Sequence, residues 1–325
     1  MNNSPVLVSV IIGTYNHKHY LRRNLRALEK QKVAHEIILV DNLSTDGTID
    51  YVKKYFPRVN IIILPENQGF ATAINCGAKN ASGKYLFLEN ADMEVSRNYL
   101  SELVDFLEKH GEIAAVQGGI YDYEKRDNIA STGLLFHPSG IIVSDLRYRR
   151  NVYAIHEILA GDAVLVRTEA FRQIDGYDKV CRLYYEDVDF GWRLWLAGYR
   201  ITCLPLSKLY HKGRGLTNTT VFTHALRHNI YVSIKNLETR NVMLAVFIRL
   251  LISLIGSLIF LSRGQLNYIV ATFRAWVWVI SRLPMILKKR KQIQESRRIS
   301  DAILKKEVGG EIAMSYLREI IPIIF

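Results

Sequence analysis

Cysteine is scarce in this chain of 325 residues: there are three, at positions 76, 181 and 203, with no CxxC and no paired spacing. That excludes a disulfide scaffold and a zinc ribbon, and it points to a reducing compartment. The N-terminus has no basic stretch followed by an apolar one, so no secretory signal is expected. No GxGxxG follows the first apolar run, which argues against a Rossmann dinucleotide site, and GxSxG and HExxH do not occur. Gly77–Lys84 imitates a P-loop, but its spacing is one residue too long, Tyr85 replaces the Ser or Thr, and it precedes a strand-like run instead of following one. His17 and His19 sit at i and i+2, a poor geometry for a shared metal on a helix. Charged residues make up 23% and hydrophobic ones 49%, which excludes a disordered or collagen-like chain. The length allows one large domain or two smaller ones.

Charge is unevenly spread. The net charge is +12, and residues 241–325 alone carry 13 basic against 5 acidic side chains. That same stretch is the most apolar part of the chain. Basic and apolar together fit a membrane surface better than nucleic acid, whose readers interleave aromatics and bases within a folded polar domain. No nucleic-acid partner is expected.

The first third repeats one pattern. Apolar runs at Val6–Ile12, Glu36–Asp41, Val59–Leu64, Lys84–Leu88 and Ile113–Gln117 alternate with helical periodicity over Lys18–Lys32, Asp46–Tyr55 (capped by Ser44 or Thr45), Gln68–Asn80 and Arg97–Lys109. Such alternation predicts βαβ units, a parallel sheet and helices on both faces. Polar groups follow the runs: Thr14-Tyr15-Asn16, Asp41-Asn42, Glu66-Asn67 and Asn90-Ala91-Asp92. Each alone is an ordinary turn or cap. Four at the carboxyl edge of one parallel sheet lie where such sheets bind ligands.

Residues 118–160 read as mixed strands and long loops, either a substrate-facing insertion or a solvated surface. A short strand at Ala163–Val166 and a helical turn at Thr168–Ile174 follow. Glu186, Asp187 and Asp189 then crowd the start of a helix that Gly198 stops. Capping by the helix dipole accounts for one or two of them. Three carboxylates in four residues repel one another and point to a nearby cation or a proton-transfer role.

Four stretches together resemble the inverting glycosyltransferases of family 2, nearest the rhamnosyltransferase-type members: VSVIIGTYNHKHYLRRNLRAL (8–28), EIILVDNLSTDGT (36–48), ENQGFATAINCGAKNASGKYLFLENAD (66–92) and DGYDKVCRLYYEDVDFGWRLWLAGYRITCLP (175–205). The likeness covers about the first 240 residues. It implies an α/β GT-A fold, Rossmann-like with a mostly parallel sheet and flanking helices, over 1–240, and leaves 241–325 as a C-terminal helical, basic, membrane-associating region. It implies roles as well. Thr14, Tyr15 and Asn16 flank the nucleotide, and Asp41 contacts its base or ribose. Asn67, Gly69, Phe70, Ala73 and Asn75 line the nucleotide-sugar pocket. Asn90-Ala91-Asp92 is the metal motif, Asp187 the catalytic base, Glu186 its substrate-side neighbour, and His211 a histidine near the metal or diphosphate.

The chemistry agrees with that list. A nucleoside diphosphate leaves with several negative charges, which Mn²⁺ or Mg²⁺ on Asp92 and His211 would neutralise. The acceptor hydroxyl needs a base on the opposite face of the sugar, and a carboxylate such as Asp187 is adequate. Direct displacement then inverts the anomeric centre. The implied activity is transfer of a hexose, rhamnose or another, from a nucleotide-diphosphate sugar to a glycan or polyprenyl-linked glycan in cell-surface polysaccharide biosynthesis. The alternative is an inactive relative that binds nucleotide sugar or a partner. A processive synthase is disfavoured, because no QxxRW follows the acidic segment.

The chain also departs from the family pattern. Gly13 and Ala91 stand where prolines are common, and Asn90 adds no charge, leaving one firm metal carboxylate. Asp162 follows Gly161 where a small apolar residue is usual, and is expected to face acceptor or donor sugar. Lys212–Thr220 reads as a lid, with Arg214 reaching the diphosphate, or as a plain loop.

In the tail, Val242–Leu261 is apolar except for Arg249, Ser253, Gly256 and Ser257, one narrow helical stripe. The run is long enough to span a bilayer, but the stripe argues for a helix lying in the interface with Arg249 snorkelling. Leu266–Leu287 carries Tyr268, Trp276 and Trp278, and the basic run 288–291 with Arg297-Arg298 suits anionic lipid. The expected location is the cytoplasmic face of the cell membrane. The same apolar faces would also serve a soluble helical domain or a homo-oligomer.

Overall fold

The computed structural model describes residues 6–145, 147, 151, 153–213 and 218–311. Strands and helices alternate first: β1 (Val8–Thr14), α1 (Lys18–Glu29), β2 (His35–Asp41), α2 (Thr48–Tyr55), β3 (Asn60–Ile63), α3 (Phe70–Lys79), β4 (Tyr85–Asn90), β5 (Met93–Val95), α4 (Tyr99–Lys109) and β6 (Ile113–Asp122). The middle gives β7 (Ile129–Ser131), β8 (Leu134–Phe136), β9 (Ile142–Ser144), β10 (His156–Glu157), β11 (Val164–Arg167), α5 (Thr168–Gln173), α6 (Glu186–Leu196) and β12 (Arg200–His211). Five helices follow: α7 (Thr219–Asn236), α8 (Thr239–Ser262), α9 (Leu266–Ser281), α10 (Leu283–Ser296) and α11 (Asp301–Val308).

The main sheet runs β10-β12-β6-β11-β4-β1-β2-β3, with β5 on β12 and β7 on β6. The β4-β1-β2-β3 block is parallel. The fifth apolar run does not extend it directly: β11 enters antiparallel between β4 and β6. The sheet is therefore mixed. Strand β1 is buried along its whole length, and its side chains alternate between faces, Ile11 to one core and Val10 and Ile12 to the other.

Local chemistry moves several boundaries. Ser44 and Thr45 do not cap α2. Gly47, at φ 78°, takes the cap position, and Asp46 before it accepts through Oδ1 from Thr48 N at 3.0 Å and Thr48 Oγ1 at 2.5 Å. Strand β6 runs five residues past the expected Gln117, through Gly118-Gly119, because β12 bulges over it between Leu204 and Lys208. A Cβ on Gly118 would lie 2.2 Å from Ser207 O, and one on Gly119 2.2 Å from Pro205 O. The diglycine lets the bulge close down.

The C-terminal helices do not form a separate body. Val279, Ile286, Leu304 and Val308 share one core with Trp192, Trp195 and Tyr231. One expectation for the tail is corrected. Arg249 does not snorkel outward: its Nη2 donates to Gly140 O at 3.2 Å. Ser253, on the same stripe, accepts from Trp276 Nε1 at 3.0 Å. The polar stripe thus faces protein. Half of the basic run is engaged as well. Lys289 pairs with Asp178 at 2.7 Å, Arg290 donates to the carbonyls of Ile234 and Leu237, and Arg297 pairs with Asp301 at 2.7 Å. Lys288, Lys291 and Arg298 keep exposed side chains.

Candidate active site

Parallel pairing sets Thr14 opposite Asp41 and Gly13 opposite Asn90, so the carboxyl ends of β1, β2 and β4 form one edge. Asn16, at φ 57°, joins the first two loops. Its N–H donates to Ser44 Oγ and its Oδ1 accepts from Thr45 N, both at 2.8 Å. Ser44 donates to Asp41 through both N–H and Oγ, at 2.8 and 2.5 Å. Asp41 is therefore buried beneath this turn, and Tyr15 stands 44% exposed above it. The Thr14 hydroxyl is buried with no hydrogen-bond partner among the described residues.

The segment entering α3 closes the next side. Gly69 has φ +87°, and a Cβ there would lie 2.5 Å from Arg182 O. Phe70 N donates to that same carbonyl at 2.8 Å. The Phe70 ring lies over Gly13, where an added Cβ would meet it at 2.8 Å, so a larger residue there would have to displace the ring. Asn67 Oδ1 accepts from Gly69 N at 3.1 Å, which orders the loop. Deeper in α3 the sequence-expected residues serve packing. Ala73 is fully buried, and the Asn75 amide exchanges two bonds with the Tyr177 backbone, at 2.7 and 2.9 Å.

Strand β5 pairs antiparallel with β12 and sets His211 opposite Met93, next to Asp92. His211 Nε2 lies 3.4 Å from Asp92 Oδ1, with the two side chains 20% and 15% exposed. Burial pushes the Asp92 carboxyl up, but the His211 hydrogen bond and charge outweigh it and hold Asp92 below its ordinary value. Burial pulls His211 down, and Asp92 and then Asp162 lift it above its ordinary value. Among the described residues, no group of three or more His, Cys, Asp or Glu gathers as a metal cage. Asp92 and His211 form an oxygen–imidazole pair at a partly open rim, a donor set that fits a divalent ion also taking phosphate oxygens.

The acidic start of α6 divides. Asp187 is pushed up to about 7, first by burial, then by the charge of Asp162 and a hydrogen bond with it. Glu186 is raised well above the ordinary carboxylate range by burial and then by Asp187. Asp162 thus acts on both His211 and Asp187, and it links the candidate metal pair to the candidate base. Asp189 takes no part in the site. It faces away, bound to Lys235 at 2.7 Å and Arg193 at 2.7 Å. The signal that sequence reasoning missed is the backbone before α6. Tyr184 and Tyr185 both adopt positive φ, 65° and 70°, an outlier for bulky residues. Arg214 lies outside the described residues.

A family model described as Glycosyl transferase family 2 matches residues 9–175. The chain belongs to that family. It is 29% identical over 210 residues to the glycosyltransferase EpsE of Bacillus subtilis, covering 62% of this chain and 70% of that one. It is 24% identical over 252 residues to the N-acetylglucosaminyl-diphospho-decaprenol L-rhamnosyltransferase of Mycobacterium tuberculosis, covering 69% and 81%. Among solved structures, residues 1–349 of S. aureus TarS in complex with UDP-GlcNAc match at TM-score 0.53 and 20% identity, over 74% of this chain and 70% of that one. GalNAc-T7 with UDP, GalNAc and Mn²⁺ matches at TM-score 0.58 and 18% identity, over 72% and 48%. Those likenesses establish the GT-A fold. As a family 2 glycosyltransferase, the chain takes its sugar from a nucleotide-sugar donor.

Proposed function

We propose that the chain is an inverting hexosyltransferase with Asp187 as general base. The observation that carries this reading is the grouping at one sheet edge of Asp187, Asp162, His211 and Asp92, with Asp187 poised near 7 by burial and Asp162. A base tuned to that range is half ionised at neutral pH. Asp187 takes the acceptor hydroxyl proton as the oxygen attacks the anomeric carbon. The bond from that carbon to the diphosphate breaks, and its electron pair leaves with the nucleotide. Thr14, Tyr15, Asn16, Asp41, Asn67, Gly69 and Phe70 surround the donor. Asp92 and His211 would hold Mn²⁺ or Mg²⁺, which supplies positive charge at the leaving diphosphate.

Residues 1–240 carry the chemistry in this proposal, and 241–325 bring it to the cytoplasmic face of a membrane. Helix α8 is the one helix among the described residues that is long and apolar enough to cross a bilayer, with mean hydropathy 2.5. The acceptor is a glycan or a polyprenyl-linked glycan. The test is calorimetric binding of UDP, dTDP and GDP, each with Mn²⁺, Mg²⁺ or EDTA. One nucleotide binding tightly and weakened by EDTA supports donor site and metal together. Binding that ignores EDTA retracts the metal. A folded chain that binds none of the three overturns the transferase reading in favour of a partner-binding relative.

A further inference from the structure

Tyr184 and Tyr185 place two tyrosines in succession in the left-handed region, directly before Glu186 and Asp187. No glycine relieves that turn, so it persists only where its neighbours over-determine it. The neighbours come from α7. His228 is fully buried. Its Nδ1 lies 3.1 Å from Leu183 O and 3.0 Å from Tyr184 O. Both partners are acceptors, so this nitrogen carries the proton. The Nε2 lone pair is then free to accept, and Arg227 Nε donates to it at 3.2 Å. The tautomer is thereby fixed. Burial first, then the Arg227 charge, pushes the imidazole down to about 4 and keeps it neutral. The ring is wedged edge-on to Trp278 of α9, with centroids 5.9 Å apart. One residue along α7, Asn229 Nδ2 donates to the Tyr185 hydroxyl at 2.9 Å.

We propose that His228 is a positioning residue of the transfer reaction: its Nδ1–H holds the carbonyls of Leu183 and Tyr184, and so fixes the strained turn that aims Asp187 at the acceptor. This rests on Asp187 being the general base. His228 touches no substrate. It acts through the backbone, and an error at that turn displaces the carboxylate while the nucleotide loops of β1 and β2 stay in place. The cost falls on kcat far more than on nucleotide affinity, which the turn reaches through the Arg182 carbonyl that holds Phe70 N.

The full-length chain is assayed with UDP-glucose, UDP-GlcNAc, dTDP-rhamnose and GDP-mannose, reading nucleoside diphosphate released to water as acceptor. Affinity for the same nucleoside diphosphate is measured by calorimetry. His228→Leu is expected to lower kcat by about tenfold or more, since small misplacements of a reacting group are expensive, with Kd changed less than about threefold. His228→Asn places an amide N–H where Nδ1–H was and recovers most of the loss. His228→Gln reaches the other ring position and does not. The proposal is overturned if His228→Leu keeps wild-type kcat, or if Asn and Gln are equally impaired while both still bind nucleotide. Should the Leu variant fail to fold, the Asn–Gln contrast decides alone. Asp187→Asn is run in parallel. If it retains turnover, the general-base reading falls. If it is dead while His228→Leu is fully active, only the positioning role falls.

Discussion

Lys235 Nζ lies 2.6 Å from Asp178 Oδ2 and 2.7 Å from Asp189 Oδ1, with its side chain 1% exposed. Arg193 holds the other oxygen of Asp189 at 2.7 Å. Lys289 and the Tyr231 hydroxyl hold Asp178 at 2.7 and 2.5 Å. The cluster joins α6, α7, α10 and the 175–181 loop without reaching the sheet edge. Removing Lys235 leaves each carboxylate one cation, Lys289 for Asp178 and Arg193 for Asp189, but takes the partner from two buried oxygens. Lys235→Met is therefore expected to cost about 1–3 kcal/mol, as leaving buried acceptors unsatisfied usually does, read as a lower urea midpoint. The folded fraction should bind nucleotide as the wild type does. A loss below about 1 kcal/mol would place this pair with surface ion pairs and end its structural role.

Catalysis should follow the ionisation of Asp187. Its carboxyl is pushed up to about 7 by burial and then by Asp162. A general base works only when ionised, so kcat/KM should rise with pH through about 7 and fall below it. Asp162→Asn removes the second cause and leaves the first. The acid limb should move to lower pH and stay above the ordinary aspartate range. An unmoved limb in the rate–pH profile would show that Asp162 does not act on the base.

Sheet and helices were legible because β1, β2 and β4 are continuous apolar runs and α1 repeats Leu21, Leu25 and Leu28 at helical spacing. The antiparallel insertion of β11 was not legible, since a short apolar run carries no sign of its direction. The acidic triplet was legible as a site but not in its division. Asp189 differs from Asp187 by meeting Arg193 one turn on and Lys235, which lies 46 positions on in sequence. Asn75 likewise reads as a pocket residue until Tyr177 claims both ends of its amide. In the basic tail, sequence shows the charge but not that Asp178 already answers Lys289, while Lys288, Lys291 and Arg298 stay exposed.

The metal assignment predicts a paired loss. Asp92→Ala and His211→Ala should each weaken nucleotide diphosphate binding in Mn²⁺ and leave binding in EDTA nearly unchanged, by calorimetry. The double variant should lose little beyond either single one, because two ligands of one ion act as a unit. Additive losses that persist in EDTA would assign the pair a role in holding the loop of residues 90–93 instead.

Glu89 of β4 gives a stability prediction. It is fully buried, Oε1 accepts from Asn24 Nδ2 at 3.0 Å, and Oε2 has no partner among the described residues. Burial pushes it up to about 8. An acid whose folded pKa lies above its unfolded value favours the fold below the unfolded pKa, and that contribution is lost as pH rises through about 8. Wild-type stability should therefore decline between about pH 5 and 8. Glu89→Gln, which needs no ionisation, should flatten that decline in urea titrations at several pH values. The slope it removes is at most about 1.4 kcal/mol for each step of one in pH. Parallel slopes would mean that Glu89 ionises in the fold without penalty.

Helix α8 presents two unlike faces, and the difference decides how it would meet a membrane in the proposed reading. Its inner face is committed to protein. Ile248 and Ile252 pack on Leu135, Ile141 and Val143, and Arg249 reaches Gly140. Its outer face exposes Phe247, Leu250, Leu254 and Leu258, and Phe273 and Ile280 of α9 are exposed alongside. A helix crossing the bilayer would have to leave the catalytic domain and strip Arg249 of its carbonyl. A helix lying in the interface keeps every inner contact and buries the outer face in lipid. Changing Phe247, Leu254 and Leu258 together to Ser should abolish sedimentation with vesicles of anionic phospholipid and preserve nucleotide binding. Arg249→Ala should leave vesicle binding intact and lower the melting temperature, because that side chain serves the inner face. If the triple variant instead sediments with vesicles as before but runs as a smaller species in solution, the outer face is an interface between two copies of the chain, and the lipid reading of the tail is wrong.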